Sequence, residues 1–365
     1  MQRIYSLDVL RGLAILIMIF VDAPPNLEEM YPIFVHAEWE GLTVADLAFP
    51  LFVFAMGMSA AISMARRTPS TKRILKRAAI LFALGILFNI YPSVLAHLIL
   101  DEPVAIEHLR LFGILQRLAL TYLFGALLVQ AIKNELGILA AMFMLLILSS
   151  AGFHIYAPEN PFAIEHNISN AVDLIFPGVN HIYETTHDPE GLYGTIASVA
   201  TFLLGYLTGK ILISKADWRD KLIVFGASGV IFLVQGGMWS TFDIISKNLW
   251  TAPYALINAS IELFLLVALI YLSDKVPKSR KFLQPLNALG TNPLFFFLMS
   301  NFALIFLCKI PTEIEGVSFY LWLYQSMFHD LISPAFGSMI FCLLWCLPWL
   351  VLAEIFYRFK IVIKI

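Results

Sequence analysis

The chain has 365 residues, of which 59% are hydrophobic and only 14% are charged, and its mean hydropathy is +0.80. A soluble domain of this length needs more polar surface, whereas repeated apolar runs of about 20 residues match a bilayer core of about 30 Å. The net charge of −2 and the lack of a basic arm argue against a nucleic-acid partner. We therefore expect an all-α, polytopic membrane helix bundle that contacts lipid and forms one integral-membrane domain over residues 1–365.

Ten apolar segments follow one another along the chain, each long enough to cross a bilayer. They lie near residues 7–22, 43–65, 77–95, 110–132, 136–153, 192–213, 222–240, 250–272, 287–308 and 335–357. The aromatic stretch 318–328 (SFYLWLYQSMF) is shorter and is typical of a half-helix or an interfacial helix.

The first segment resembles a signal peptide in its length and position. Asp8 and Arg11 interrupt its apolar run, however, and no A-x-A cleavage pattern follows, so we predict a retained helix. The two charges are three residues apart on one helical face, which favours an internal ion pair. The alternative is that Arg11 helps to bind a phosphorylated ligand.

Basic residues are distributed unevenly between the loops. If the N-terminus is cytoplasmic, 20 of the 24 lysines and arginines fall in cytoplasmic segments, and the exceptions are Arg110, Arg117, Lys247 and Lys309. Cytoplasmic loops are enriched in these residues, so we predict that both termini are cytoplasmic. All eight histidines then fall on the outer side, which predicts that the polar chemistry is concentrated there.

Ionisable groups inside a span are costly and usually mark a function or a paired contact. Gln116 and Arg117 lie a few residues inside the outer surface. Snorkelling explains Arg110 but not the deeper Arg117, so we predict an interior polar pocket. Glu262, in the eighth segment, predicts a basic or amide partner on a neighbouring helix.

Two further outer motifs have competing interpretations. KNLWTAPY supplies Lys247, Asn248 and Trp250; Trp250 alone is typical of an aromatic-belt anchor, but the three together equally indicate a sugar or anion contact. HDPEG supplies an acidic cluster with a histidine, and a turn followed by a helix start explains it without any function. The residues of that cluster are His187, Asp188 and Glu190.

Residues 35–46 (VHAEWEGLTVAD) precede the second segment. Thr43 and Asp46 fit a capping box, in which the carboxylate reaches back to a free backbone N–H. Trp39 would then be a membrane-interface anchor. This interpretation leaves His36 and Asp22 unexplained.

The three cysteines are Cys308, Cys342 and Cys346. The last two lie four residues apart on a predicted helix, a spacing more typical of packing residues than of a disulfide or a metal pair. The sequence contains neither CxxC nor HExxH, so we expect no metal cofactor.

Six stretches of the sequence, taken together, resemble the heparan-α-glucosaminide N-acetyltransferase family of transmembrane acyltransferases, including its shorter bacterial relatives. They are SLDVLRGLAILIMIFVD, HAEWEGLTVADLAFPLFVFAMG, LRLFGILQRLALTY, DPEGLYGTIASVATFLLGYLTGK, KNLWTAPY and LGTNPLFFF. Their combination and order are specific for the family, although no single stretch is.

The resemblance implies an acetyl-CoA-dependent enzyme that moves acetyl from the cytoplasm to the amino group of a glucosamine on the far side of the membrane. It implies a bacterial inner membrane, active-site loops facing the periplasm, and a homodimer. The family's active histidine corresponds to His36, and the aspartate closing the same motif corresponds to Asp46. Asp22 stands where family members often have asparagine, and the segment before His36 is longer here, with PPNLEE inserted.

An amine attacks a thioester only as the free base, so a histidine oriented by a carboxylate is suited to this reaction. Asp46 or Asp22 is the candidate for that carboxylate. Alternatively, His36 accepts the acetyl group itself and passes it on. Asn248 or Arg117 is a candidate to stabilise the developing oxyanion.

The expected site therefore has three parts. The catalytic residues are His36, Asp46 and Asp22. The acceptor contacts are Trp39, Gln116, Arg117, His187, Asp188, Glu190, Lys247, Asn248 and Trp250. The acetyl-CoA contacts are Asp8, Arg11 and Asn292, whereas the basic cluster at 66–77 is explained more simply by its cytoplasmic position.

Two other functions fit parts of the sequence. A carrier would use the intramembrane arginine and glutamate to bind an amino sugar and the outer histidines to sense protons. An O-acyltransferase of an envelope polysaccharide is also compatible, since LDVLRG resembles the opening of polytopic O-acyltransferases. HAEWEGLTVAD and DPEG favour the N-acetyltransferase.

Overall fold

The structure, a computed structural model, describes residues 4–66, 69–183, 186–276 and 278–363, with the backbone alone at 274 and 275. Three basic residues of the predicted cytoplasmic set, Arg3, Arg67 and Lys364, lie outside these ranges, as does the side chain of Lys275. The described ranges contain thirteen α-helices and no β-strand, which confirms the all-α prediction.

The helices are α1 (Tyr5–Val21), α2 (Ala48–Arg66), α3 (Thr71–Leu100), α4 (Ile114–Ala131), α5 (Glu135–Tyr156), α6 (Ile168–Ile175), α7 (Thr195–Leu212), α8 (Trp218–Trp239), α9 (Ala252–Lys275), α10 (Ser279–Leu289), α11 (Pro293–Lys309), α12 (Phe319–Met327) and α13 (Pro334–Arg358).

Within the described residues, eight helices are long and apolar enough to cross a membrane, namely α2, α3, α4, α5, α7, α8, α9 and α13. A ninth span is the pair α10 and α11, which bends by 69° where one helix gives way to the next. The remaining predicted span is α1, which has 17 residues. The polytopic membrane bundle is therefore confirmed, and the aromatic stretch 318–328 forms the nine-residue α12.

Helix α1 lies at the centre of the bundle, packed against α2, α9, α10, α11 and α13. Helices α5 and α8 are peripheral, since most of their surface is not covered by protein. Cys342 and Cys346 are buried and unpaired in α13, as their spacing predicts for packing residues.

The bundle has two ends that differ in chemistry. At one end lie Asp22 after α1, Thr195 at the start of α7 and Ala252 at the start of α9; we call it the His36 end. At the opposite end the start of α3 meets the end of α4, where the Thr71 hydroxyl lies 3.2 Å from Oε1 of Gln130.

The crossing of α2 with α7 depends on glycine. A Cβ added at Gly205 would lie 2.1 Å from the carbonyl oxygen of Phe54, and one added at Gly57 would lie 2.1 Å from that of Phe202. Small residues let membrane helices approach closely enough for backbone packing. This crossing brings α2, which follows His36, against α7, which follows the HDPEG turn.

We expect Gly205→Ala to lower the free energy of unfolding by about 1–3 kcal/mol, the usual effect of overpacking. Thermal unfolding of the purified protein in detergent measures this. Gly237→Ala is the matched control, because no atom lies within 4 Å of a Cβ at Gly237 and alanine is the better helix former. Equal melting temperatures for the two variants would contradict the close crossing.

Candidate functional site

The loop between α1 and α2 brings His36 and Asp46 into contact. Nδ1 of His36 lies 2.8 Å from Oδ1 of Asp46. The Asp46 side chain is fully buried, whereas 43% of the His36 side chain is exposed. A buried carboxylate bonded to Nδ1 fixes the orientation of the ring and leaves Nε2 as the nitrogen that can take a proton.

The second oxygen of Asp46 holds the loop itself. Oδ2 accepts hydrogen bonds from the backbone N–H of Ala37 at 3.2 Å and from the N–H and hydroxyl of Thr43, both at 3.0 Å. The predicted reach of Asp46 back to Thr43 is therefore confirmed. Thr43 is not an N-cap, however, because Val44 is the residue before the 3₁₀ turn Ala45–Leu47, which precedes α2, and the Thr43 hydroxyl donates to Asp46.

The segment between α8 and α9 closes over the same loop. Nζ of Lys247 lies 3.3 Å from Nδ1 and 3.2 Å from Nε2 of His36. The Asn248 side chain donates to the carbonyl oxygen of Glu38 at 2.8 Å, and the N–H of Gly41 donates to the carbonyl oxygen of Ile245 at 2.8 Å. Lys247 therefore contacts the reactive ring, while Asn248 fixes the loop that carries it.

Asp22 lies close to His36 and Lys247 and makes no direct hydrogen bond to the His36 ring. Nδ2 of Asn301 donates to its Oδ2 at 3.3 Å. Burial raises the pKa of Asp22, and the nearby His36 and Lys247 oppose that rise. Of the two carboxylates that the sequence leaves open, Asp46 is the one hydrogen-bonded to His36.

Trp39 and His187 form one wall of the site. The indole N–H of Trp39 donates to the carbonyl oxygen of Phe162 at 2.8 Å, and its ring packs edge-to-face on His187 with centroids 5.1 Å apart. The contacts of Trp39 are thus made inside the protein, unlike those of the interface anchor that its position suggests. This wall supplies the aromatic surface on which sugar rings commonly pack.

A buried ionic cluster lies beside this wall. Nε of Arg110 is 3.0 Å from Oδ2 of Asp188, and Nη2 is 2.5 Å from both Oδ1 of Asp188 and Oε2 of Glu190. Burial lowers the pKa of Arg110, but Glu190 and Asp188 outweigh it and raise the pKa. Burial raises the pKa of Glu190, yet Arg110, Lys247 and Arg117 together lower it to about 2. The DPEG turn is present too, with the Gly191 N–H bonded to the Asp188 carbonyl oxygen at 2.9 Å.

Deeper in the bundle, Arg117 and Gln116 are fully buried, as an interior polar pocket requires. Nη2 of Arg117 donates to the carbonyl oxygen of Gly191 at 2.6 Å, and the guanidinium lies 5.4 Å from the ring centroid of Trp250. Nε and Nη1 of Arg117 and both amide atoms of Gln116 have no hydrogen-bond partner within the described residues. The aromatic-belt interpretation of Trp250 is wrong, because its side chain is fully buried.

Two other acids, Glu262 and Asp173, lie in the interior of the bundle. Neither carboxyl oxygen of Glu262 has a hydrogen-bond partner in the part of the chain that the structure describes, so the predicted basic or amide partner is wrong. Asp173, on the short α6, accepts from the N–H of Leu192 at 2.8 Å. Burial raises its pKa to about 7, and Asp188 adds to that rise.

The three residues expected to contact acetyl-CoA lie toward the opposite end of the bundle. A cavity of about 250 Å³ there is lined by Arg11, Ser59, Arg77 and Asn292, among others. Asp8 pairs with Arg11, so the predicted ion pair is confirmed, and Arg11 also faces the cavity. The amide of Asn292 is occupied by the C-terminal segment: it donates to Ile361 O at 2.9 Å and accepts from Ile363 N at 2.8 Å.

Sequence reasoning missed Arg110, Asp173, Arg77 and Asn301. In the sequence alone, snorkelling explains Arg110, and a cytoplasmic position explains Arg77 as one member of the basic cluster at 66–77. Asp173 is preceded by Asn167, whose side chain caps α6 by accepting from the N–H of Asn170, but nothing near Asp173 in the sequence indicates its partner. Within the described residues, no three His, Cys, Asp or Glu side chains are grouped to hold a metal ion.

The chain is similar to known proteins of one family. The family model described as "Heparan-alpha-glucosaminide N-acetyltransferase, catalytic" matches residues 3–239. The heparan-alpha-glucosaminide N-acetyltransferase of Homo sapiens is 29% identical over 365 residues, covering 83% of this chain and 52% of its own length. That of Mus musculus is 27% identical over 366 residues, covering 84% and 53%. The chain thus spans about half the length of these curated relatives.

Removing Arg110 would leave two buried carboxylates without their cation. We expect Arg110→Gln to lower the free energy of unfolding by about 3–5 kcal/mol, as for other broken buried ion pairs. Arg358→Gln is the matched control, because the Arg358–Glu354 pair is mostly exposed and contributes at most about 1 kcal/mol. Thermal unfolding in detergent compares the two, and a similar small loss in both would show that the Arg110 cluster is not a structural centre.

Asp173 makes stability depend on pH. Its pKa is about 7 in the folded protein against an ordinary value of 3.8, so the folded state holds the proton over this interval and the unfolded state does not. The free energy of unfolding should therefore fall as the pH rises from about 4 through 7. Asp173→Asn should flatten that slope, measured as melting temperature against pH, whereas an unchanged slope would assign it to other groups.

Proposed function

Because this chain belongs to the heparan-α-glucosaminide N-acetyltransferase family, we propose that it moves acetyl from acetyl-CoA to the amino group of a glucosamine-type sugar. The observation that carries the proposal is the His36–Asp46 pair, an exposed imidazole held at 2.8 Å by a fully buried carboxylate. This pair lies at one end of a membrane bundle whose opposite end holds a cavity lined by two arginines.

The pair supports two routes for the transfer. In the direct route, Nε2 of His36 takes a proton from the acceptor ammonium, and the free amine attacks the thioester carbonyl. The tetrahedral intermediate then expels the coenzyme A thiolate, which takes up the proton that the attacking nitrogen loses and becomes the thiol. In the covalent route, Nε2 attacks the thioester carbonyl and expels the thiolate. The free amine then displaces the acetyl group from Nε2, and the proton that it loses as the amide forms balances the one taken up by the thiolate. Asp46 orients the ring in both.

Lys247 is placed to act on the charge that develops during attack. Its ammonium lies within 3.3 Å of both ring nitrogens of His36, beside the position that the reacting carbonyl must take. A fixed positive charge at that point stabilises an oxyanion. The side-chain amide of Asn248, which is bonded to Glu38, supports this geometry by holding the loop.

The acceptor site lies between the aromatic wall and the carboxylates. Trp39 and His187 offer a surface for the apolar face of a sugar, and Asp22 offers a carboxyl group close to His36 for its amino group. Asp188 and Glu190 are engaged by Arg110, so we assign them to shaping the wall. Gln116, Arg117 and Trp250 form the buried floor beneath it.

The donor enters from the opposite end. Arg11 and Arg77 both line the cavity there and each has a buried Nε without a hydrogen-bond partner, which suits phosphate groups. Asp8 and Asn292 hold the two sides of the cavity in place. The cavity reaches Phe52, which lies six residues, or about 9 Å of helix, from Asp46. A thioester arm entering here therefore approaches His36 from within the bundle.

The basic residues also support an orientation. Lysines and arginines concentrate at the Arg11 end of the bundle, which supports a cytoplasmic position for that end and a periplasmic or lumenal position for His36. In a bacterium the membrane would be the inner membrane. The homodimer stays a prediction.

The test is turnover of acetyl-CoA by the purified protein against a panel of amines that includes glucosamine, read by mass spectrometry. His36→Gln should lower transfer at least about hundredfold, because general-base or nucleophilic chemistry is lost. The variant should still be stabilised against thermal unfolding by acetyl-CoA, whose site lies at the other end.

The matched control is His108→Gln, an exposed histidine in the loop before α4, which should transfer acetyl at the wild-type rate. Wild-type transfer by His36→Gln would overturn the assignment. Uptake of labelled glucosamine into proteoliposomes without acetyl-CoA would instead identify a carrier.

A further inference from the structure

A second histidine–aspartate pair lies outside the site described above. Nε2 of His154, near the end of α5, is 2.8 Å from Oδ1 of Asp243, in the turn that follows α8. Asp243 is almost fully buried, whereas 41% of the His154 side chain is exposed. Neither residue has a part in the transfer chemistry.

This pair borders a cavity of about 910 Å³ between the peripheral helices α5 and α8 at the His36 end. Most of its lining is apolar, and the polar groups are few. The lining residues are Phe143, Ser150, His154, Gln235, Met238, Trp239, Thr241 and Phe242. Since α5 and α8 face the lipid over most of their surface, the cavity opens toward the membrane.

One acceptor in the lining of this cavity has no hydrogen-bond donor. Oε1 of Gln235 is buried and has no partner within the described residues. A buried acceptor without a donor is costly, so this atom calls for a ligand that carries hydroxyl or ammonium groups. An anionic headgroup does not suit it, because such a group brings further acceptors where a donor is needed.

The cavity is linked to the wall formed by Trp39 and His187 through Phe162. The His154 ring packs edge-to-face on Phe162, with centroids 5.6 Å apart, and the carbonyl oxygen of Phe162 accepts the indole N–H of Trp39. On the other flank, Asp243 lies four residues before Lys247, which contacts His36. A head group at the cavity rim is therefore next to the acceptor wall.

A mostly apolar cavity on the lipid-facing side of the bundle, with an unpaired acceptor in its lining, fits an amphiphile with a hydrocarbon chain and a donor-rich, uncharged or cationic head. We propose that this cavity binds the hydrocarbon chain of a neutral glycolipid whose terminal amino sugar is the acetyl acceptor. The sugar then extends over Trp39 to His36. The inference rests on the proposed function and specifies its substrate class.

The test uses alkyl glucosaminides as probes, with the full-length protein in nanodiscs and acetyl-CoA as donor. The measured quantity is kcat/KM for dodecyl glucosaminide divided by kcat/KM for methyl glucosaminide. We expect the wild-type ratio to exceed 1 clearly and to fall about tenfold or more in Ser150→Phe, which fills the cavity.

The longer probe also partitions into the bilayer, which raises the ratio whether or not the cavity binds it. A matched variant separates these two effects. Ala83→Phe fills another lipid-facing groove, between α3 and α4, that is lined only by apolar residues. It should keep the wild-type ratio. Turnover of methyl glucosaminide in each preparation shows that the protein is folded.

The outcomes are distinguishable. Failure to acetylate any acceptor would overturn the proposed function. If all probes are acetylated and neither Ser150→Phe nor Ala83→Phe changes the ratio of the two kcat/KM values, the cavity holds only ordinary bilayer lipid. That result would overturn the inference. So would cross-linking of Phe242→Cys between two copies, because the cavity would then be covered by a second chain.

Discussion

The Asp46 carboxylate is the interaction on which the candidate site depends. One oxygen holds the His36 ring, and the other holds the backbone of Ala37 together with the backbone and hydroxyl of Thr43. The backbone carbonyl oxygen of Asp46 accepts a hydrogen bond from the hydroxyl of Tyr254 at 2.7 Å, which ties the start of α2 to α9. A fully buried carboxylate is tolerable only when its acceptor sites are satisfied. The residue that positions the reactive ring is therefore also the one that fixes the loop and the helix start.

The ionic cluster of Arg110, Asp188 and Glu190 fixes the loop before α7, as Asp46 fixes the loop before α2. Asp188 and Glu190 are buried at the edge of the bundle, where an uncompensated charge is costly, and Arg110 forms an ion pair with each. Arg117 anchors the same loop from below through the Gly191 carbonyl oxygen. Arg110 and Arg117 thus fix the position of the loop before α7, which carries the wall residue His187.

Much of the fold follows from local sequence, because length and apolarity alone define a helix that must satisfy its backbone in lipid. The ion pair of Asp8 with Arg11 and the contact of Thr43 with Asp46 follow too, since each joins residues three apart. Arg110 and Asp188 are 78 residues apart, and nothing near either one in the sequence indicates the pairing. Glu262 is a second contact that local sequence does not predict correctly. A buried acid predicts a partner, but only the packing of the helices decides whether a partner is within hydrogen-bond distance.

The layer between the two ends of the bundle bears on the proposed passage of acetyl. Nε and Nη1 of Arg117, and both amide atoms of Gln116, are buried there without hydrogen-bond partners among the described residues. Unsatisfied polar groups in a membrane interior are costly, so their retention suits a guest that brings acceptors for Arg117 and both a donor and an acceptor for Gln116. The arm of an acyl thioester carries amide groups, each with a carbonyl oxygen and an N–H, along a narrow chain. Under the proposed function, this layer would receive the donor's arm from the Arg11 end, with the sugar staying at the His36 end.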